Sequence, residues 1–126
     1  IGHGVVMGCF FLLASDVRIG TAGAFKIGAN ETQINMVLPI FASELVKARV
    51  ATDYLTRSMV FGELFDPDTA IKAGYLDQVV EADALMATAQ GFAEGLKPLS
   101  SPSLTGNKRL LREETLATIK ASLPWD

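Results

Sequence analysis

The rhythm of hydrophobic positions changes several times along the chain, and each change predicts an element. Ile1 to Val6 is short, β-branched and glycine-bearing, which predicts the end of a buried strand running into a turn. From Gly8 to Ala14 apolar side chains fall on every side, the pattern of a helix buried all round. A second strand is predicted over Asp16 to Ile19, closed by Gly20 and Gly23, and a third over Ala24 to Ile27, leading into Gly28-Ala29-Asn30-Glu31. Pro39 suits the first turn of a helix, with Phe41, Leu45 and Ala48 at helical spacing after it, and another helix is predicted from about Thr52 to Met59. Asp66-Pro67-Asp68 reads as a helix start, Ala70 and Ala73 as one face, and Gly74 as the residue past the end; Leu76 to Val80 follows as a short strand. Asp83 is placed to cap a helix whose Leu85, Met86, Ala89, Phe92, Ala93 and Leu96 make an amphipathic stripe. Pro98 to Pro102 ends that helix, and Ser103 to Leu123 reads as one or two surface helices.

Composition narrows the classes of protein that this pattern allows. With 126 residues, 49% of them hydrophobic and 20% charged, the chain has the make-up of one globular unit, and no repeat or low-complexity run divides it. A net charge of -3 without a dense Lys/Arg cluster argues against nucleic acid as a partner, because phosphate neutralisation needs a basic face. The longest apolar stretch, Val5 to Ala14, is about half of the roughly 20 residues a membrane helix requires, so no membrane partner is expected. The same stretch lacks the basic flank of a signal peptide and is followed by Asp16. One histidine and one cysteine make a protein-built zinc site and an internal disulfide unexpected, and the lone Cys9 fits a reducing compartment. Because the chain opens on Ile1, inside an apolar run, it reads as a piece of a longer protein.

Two stretches have the residue types for chemistry. In Gly2-His3-Gly4-Val5-Val6-Met7-Gly8, glycines ahead of a helix let the backbone approach a ligand and present free N–H groups to an anion. The spacing is neither a dinucleotide fingerprint nor a phosphate loop, and alone it argues more for tight strand–helix packing than for a ligand. In Phe25 to Met36 a single carboxylate, Glu31, lies in a mainly uncharged neighbourhood. Burial favours the protonated form of a carboxylic acid and so lets it take and return a proton near neutrality. Taken alone, this glutamate reads more readily as a solvated loop residue.

The two stretches together, followed by a third, carry a family resemblance. Gly2 to Cys9 with Asp16-Val17-Arg18-Ile19 resembles the glycine motif, buried helix and closing aspartate of the enoyl-CoA hydratase/isomerase (crotonase) family. Ala24-Phe25 to Asn30-Glu31, with Pro39 eight residues on, is similar to its second signature, and Asp66 to Val80 to its third. The resemblance implies an α/β fold, the carboxyl-terminal part of a spiral of ββα units over residues 1–80, then a helical oligomerisation region over 81–126. It implies an acyl-CoA substrate, with coenzyme A part of that substrate and no separate cofactor, and a homotrimer or hexamer. A cytosolic setting is implied, or a mitochondrial matrix or peroxisome in a eukaryote.

Residue by residue, the resemblance places an oxyanion-hole N–H at Met7 or Gly8, where it would stabilise an enolate oxygen, and an acid/base at Glu31. The partner N–H comes in the family from the amino-terminal half. Phe10 stands where family hydratases carry the first of two glutamates, and Asn30-Glu31-Thr32-Gln33 is similar to the string in the Δ3,Δ2-enoyl-CoA isomerases. The reaction implied is therefore isomerisation by one glutamate; the alternatives are a hydratase completed by a residue outside this chain, or a fragment inactive alone. Phe10, Asn30 and Lys108 are the candidate substrate contacts, although a solvated helix face is the stronger reading of Lys108 and Arg109. Met7 and Asn35 replace glycines common in the family; any residue but proline supplies an N–H, and Asn tolerates positive φ. His3 reads as a packing or hydrogen-bonding residue, Cys9 as a small buried hydrophobe and Asp16 as a local cap or local hydrogen-bonding residue.

Overall fold

The computed structural model describes residues 2–124, so Ile1, which begins the first predicted strand, lies outside the described residues. Among the described residues four short strands and five α-helices follow the predicted order: β1 (Gly4–Val5), α1 (Met7–Ala14), β2 (Ile19–Thr21), β3 (Ile27–Gly28), α2 (Ile40–Arg49), α3 (Pro67–Ala73), β4 (Gln78–Val80), α4 (Leu85–Leu96) and α5 (Pro102–Ser122). The strands pair in parallel across helical crossovers, β1 with β3 and β2 with β4. The arrangement is α/β with its long helices at the carboxyl end.

Each strand is shorter than its sequence pattern, and packing supplies the reason. Gly20, expected to close the second strand, sits in its middle, because β2 lies so close to Leu76 that a Cβ there would come within 2.5 Å of a leucine methyl. Just ahead of the strand, Arg18 is fixed by an ion pair as well as by its carbonyl, which accepts from the Asp77 and Gln78 N–H groups at 2.8 and 3.3 Å. Arg18 is 7% exposed, and its Nε and Nη2 bond to the two carboxylate oxygens of Asp77 at 3.1 and 3.0 Å.

The helix signals at Asp66 and Gly74 act as written. Asp66 Oδ1 accepts from the Thr69 N–H at 2.7 Å, Pro67 opens α3, and Gly74 ends it at φ 92° with its N–H on the Ala70 and Ile71 carbonyls. Three other expectations need correction. The helix at Gly8 to Ala14 is not buried all round: Cys9, Phe10 and Leu13 are buried, whereas Phe11 is 70% exposed. The predicted helix from Thr52 to Met59 is a 3₁₀ turn (Thr52–Tyr54) followed by a π-helical turn (Thr56–Val60). Asp83 does not cap α4; it lies inside a 3₁₀ turn over Ala82–Ala84, and the cap position is Ala84.

The core joins α1, α2 and α3 around Cys9, Leu13, Ala42, Val46, Phe65, Ala70, Ala73 and Tyr75. By contrast α5 has no buried residue and lies along α2. Its anchor is polar, and this corrects the expectation for Asp16: instead of a local cap, its carboxylate receives Lys108 and, at 2.9 Å, Arg112. Arg49 of α2 joins them by donating to the Ser15 and Asp16 carbonyls at 2.9 and 3.3 Å.

The hydrogen bond from Lys108, seconded by Arg112, holds the Asp16 carboxyl below its ordinary value of 3.8. A folded-state pKa below the unfolded one means that this anchor is at full strength above that value and fades as pH falls through the lower folded value. Amide exchange in α5 is expected to rise relative to α2 once pH drops below about 4. Asp16→Asn should loosen α5 at neutral pH by about 1 kcal/mol or less, since the pair is half exposed. Unchanged protection of α5 in the variant would refute this anchor.

Candidate active site

The parallel register of β1 and β3 sets the site. Gly4 pairs with Ile27 and Val5 with Gly28, so both strands leave the pair at the same edge. Two residues past Val5 comes Met7, the start of α1, and three past Gly28 comes Glu31, the start of a 3₁₀ turn over Glu31–Ile34. The chain thus delivers a helix N-terminus and a carboxylate to one place from distant stretches of sequence.

At the helix start, the Val6 carbonyl accepts from the Cys9 and Phe10 N–H groups at 3.1 and 3.3 Å. The Met7 and Gly8 N–H groups, first in the helix, have no intrahelical acceptor and are free to meet a ligand oxygen. What aims them was not foreseen from sequence: Val6, a β-branched residue, stands at φ 52°, ψ −122°. The signal available was its position just ahead of the helix in a glycine-rich turn. A side chain in this region costs about 1–2 kcal/mol, so Val6→Gly is expected to raise unfolding free energy by ~1 kcal/mol in a urea titration. A lower stability for that variant would contradict the strain.

Glu31 is 2% exposed, and its Oε2 is buried without a hydrogen-bond partner. It is the sole buried carboxylate among the described residues. Its backbone is held firmly, with the Met36 N–H on its carbonyl at 2.9 Å and Asn35 closing the turn at φ 57°, the left-handed conformation that asparagine tolerates. Asn30, immediately before it, also has a buried side-chain oxygen, Oδ1, without a partner. Two unpartnered acceptors at adjacent residues leave this site ready for a donor from outside the described chain.

Cys9 is fully buried, and burial, with Glu31 adding, pushes its thiol up to about 12. Burial likewise raises the Tyr75 phenol to about 12, against the hydrogen bond it shares with Ser58. Neither Ser58 nor Tyr75 was singled out from sequence, because their 17-residue separation gives no periodic signal and only folding brings them together.

The remaining candidates fall in different places. Phe10, expected to contact substrate, is 4% exposed and packs edge-on against Phe41 with ring centroids 5.9 Å apart, so its ring belongs to the core. Lys108 is engaged by Asp16 beyond the far end of α1 and is not brought to Glu31. His3 accepts the Lys26 N–H on Nδ1 at 2.9 Å and packs against Phe25, a structural role. A cavity of about 230 Å³ on the Gly8–Leu12 face of α1, lined also by Gly4, Ile27 and Leu76, does not include Glu31.

A buried lone carboxylate at the exit of β3, with the N-terminus of α1 at the exit of the strand paired to it, makes up the candidate site. No family model matches the sequence. The chain is, however, 31% identical over 113 residues to the human protein described as mitochondrial enoyl-CoA delta isomerase 1, covering 89% of this chain and 37% of that one. A solved enoyl-CoA hydratase/isomerase family protein from Pseudomonas syringae superposes with a TM-score of 0.92 at 39% identity, over 96% of this chain and 53% of the other. The solved human mitochondrial Δ3-Δ2-enoyl-CoA isomerase superposes with a TM-score of 0.89 at 25% identity, over 95% of this chain and 47% of the other. The chain belongs to the enoyl-CoA hydratase/isomerase (crotonase) family. It spans 37% of the length of the human relative and about half of the solved structures it matches.

No helix among the described residues is long and apolar enough to cross a membrane. Among the same residues no group of three or more His, Cys, Asp or Glu could hold a metal ion.

Proposed function

We propose that the protein is an enoyl-CoA isomerase that moves the double bond of a 3-enoyl-CoA to the 2-position. Glu31 takes a proton from C2, the electrons shift into a dienolate, and the thioester oxygen is held by the N–H of Met7 or Gly8 and one donor from outside this chain. The same carboxyl returns the proton at C4, leaving 2-enoyl-CoA and an unchanged enzyme. The observation that carries this reading is the solitude of Glu31: a buried carboxylate with an unpartnered oxygen, and apolar Phe10 where a second, water-activating carboxylate would stand. The α1 dipole adds to the stabilisation of the dienolate oxygen.

The substrate brings its own coenzyme A, and the proton shuttle calls for no further cofactor. Asn30, with its buried Oδ1 open, is the substrate contact this reading favours. Exposed Leu110 and Leu111 on α5 support assembly into a homotrimer or hexamer through the 81–126 region. The setting proposed is the cytosol, or the mitochondrial matrix or peroxisome of a eukaryote; the human relative is described as mitochondrial.

The deciding assay offers the full-length protein a 3-enoyl-CoA and crotonyl-CoA separately. Conversion of the first with little hydration of the second is expected. Rapid hydration of crotonyl-CoA with the 3-enoyl-CoA untouched would replace this reading by the hydratase one.

A further inference from the structure

Among the described residues no partner holds Glu31 Oε2, so the placement of the carboxylate depends on the backbone that carries it. What holds that backbone is a second segment running beside it. Phe65 and Ile27 exchange N–H···O bonds at 2.8 and 2.9 Å. At Gly28 a Cβ would lie 2.8 Å from the Glu63 carbonyl, and at Gly62, φ 63°, a Cβ would lie 3.3 Å from the Asn30 Cα. The stretch from Gly62 to Phe65 therefore backs Ile27 to Asn30 at backbone contact distance, and the Glu63 N–H ties it to the Arg57 carbonyl, next to Ser58, at 3.0 Å.

The side-chain link in this backing is polar and buried. Ser58 and Tyr75 are both 0% exposed, and their hydroxyls share a hydrogen bond in which either can donate. The Tyr75 ring also lies against that of Phe65, the residue whose backbone pairs with Ile27, with centroids 6.1 Å apart. Ser58 is directed inward by the π-helical turn Thr56–Val60, a wide turn that is often found at functional sites.

We infer that Tyr75, held by Ser58, is a positioning residue for Glu31: it pins the segment from Ser58 to Phe65, against which the backbone that carries the carboxylate rests. The inference rests on the reading of Glu31 as the proton shuttle. A shift of even ~1 Å in a reacting group can cost on the order of 100-fold in rate, so loss of the clamp should act on turnover and not on substrate affinity.

In the full-length protein Tyr75→Phe is expected to lower kcat on a 3-enoyl-CoA about tenfold while KM stays within about twofold. Ser58→Ala should lower kcat by a smaller factor in the same pattern. Rates are taken per folded molecule, with folding followed by circular dichroism, so that lost stability alone does not register. Wild-type kcat in Tyr75→Phe overturns the inference; if that variant does not fold, wild-type kcat in Ser58→Ala overturns it. Glu31→Gln is the control: if it is inactive while Tyr75→Phe is unimpaired, the positioning role alone fails. Should Glu31→Gln turn over normally, the shuttle reading and this inference fall together.

Discussion

Glu31→Gln is expected to lower turnover of a 3-enoyl-CoA about a thousandfold, the scale of a lost general acid/base, while the protein remains folded. The substitution keeps size and shape, and it replaces a carboxylate that is 2% exposed and has an oxygen without a partner. Burying such a group without hydrogen bonds is costly, so the amide should leave stability unchanged or raise it. Loss of rate together with equal or higher stability is the signature of a base kept at structural expense. It is measured by steady-state kinetics alongside a urea titration, and full turnover in the variant would remove Glu31 from the chemistry. The solitude of Glu31 also predicts that no neighbouring carboxylate takes over, since it is the sole buried one among the described residues.

Gly74→Ala is expected to give the largest loss of stability of any single methyl addition considered for this chain, about 2–4 kcal/mol. Two effects add. At φ 92° a side chain strains the backbone, and the new Cβ would lie 2.7 Å from the Arg49 carbonyl and 3.1 Å from the Ala51 nitrogen. Both neighbours are backbone, so neither can swing aside. The Gly74 carbonyl is also the acceptor for Arg18 Nη1 at 2.7 Å, so a shift here loosens the Arg18–Asp77 pair beside β2 and β4. Chemical denaturation checks the loss; a variant within about 0.5 kcal/mol of the parent would show that this turn has more room than its geometry indicates.

Local chemistry accounts for the parts of this structure that were legible in advance. Asp66, Pro67 and Gly74 specify α3 because a cap, a fixed φ and a left-handed stop act within a few residues of themselves. Asn35 accepts the left-handed turn after Glu31 for the same kind of reason. Other features were hidden. Ser58 faces Tyr75 only because the expected helix widens into a π-turn, and Asp16 meets Lys108 and Arg112 across more than ninety residues. Phe11 is exposed although its composition matches its buried neighbours, since an all-apolar helix does not state which face is covered.

By itself the sequence determined the order of the strands and most of the helices, both ends of α3, the single carboxylate in a mainly uncharged stretch and the family to which these belong. Those are properties of residues and their near neighbours, where steric and hydrogen-bonding rules need no knowledge of the rest of the chain. The tertiary structure decided that β1 and β3 pair in register, so that the start of α1 and Glu31 emerge together. It also decided that Glu31 is buried without a partner and that Val6 takes a strained conformation to aim the N–H groups beside it. Burial and strain depend on which distant segments meet, and that is fixed by packing the whole core, not by any pattern along the chain.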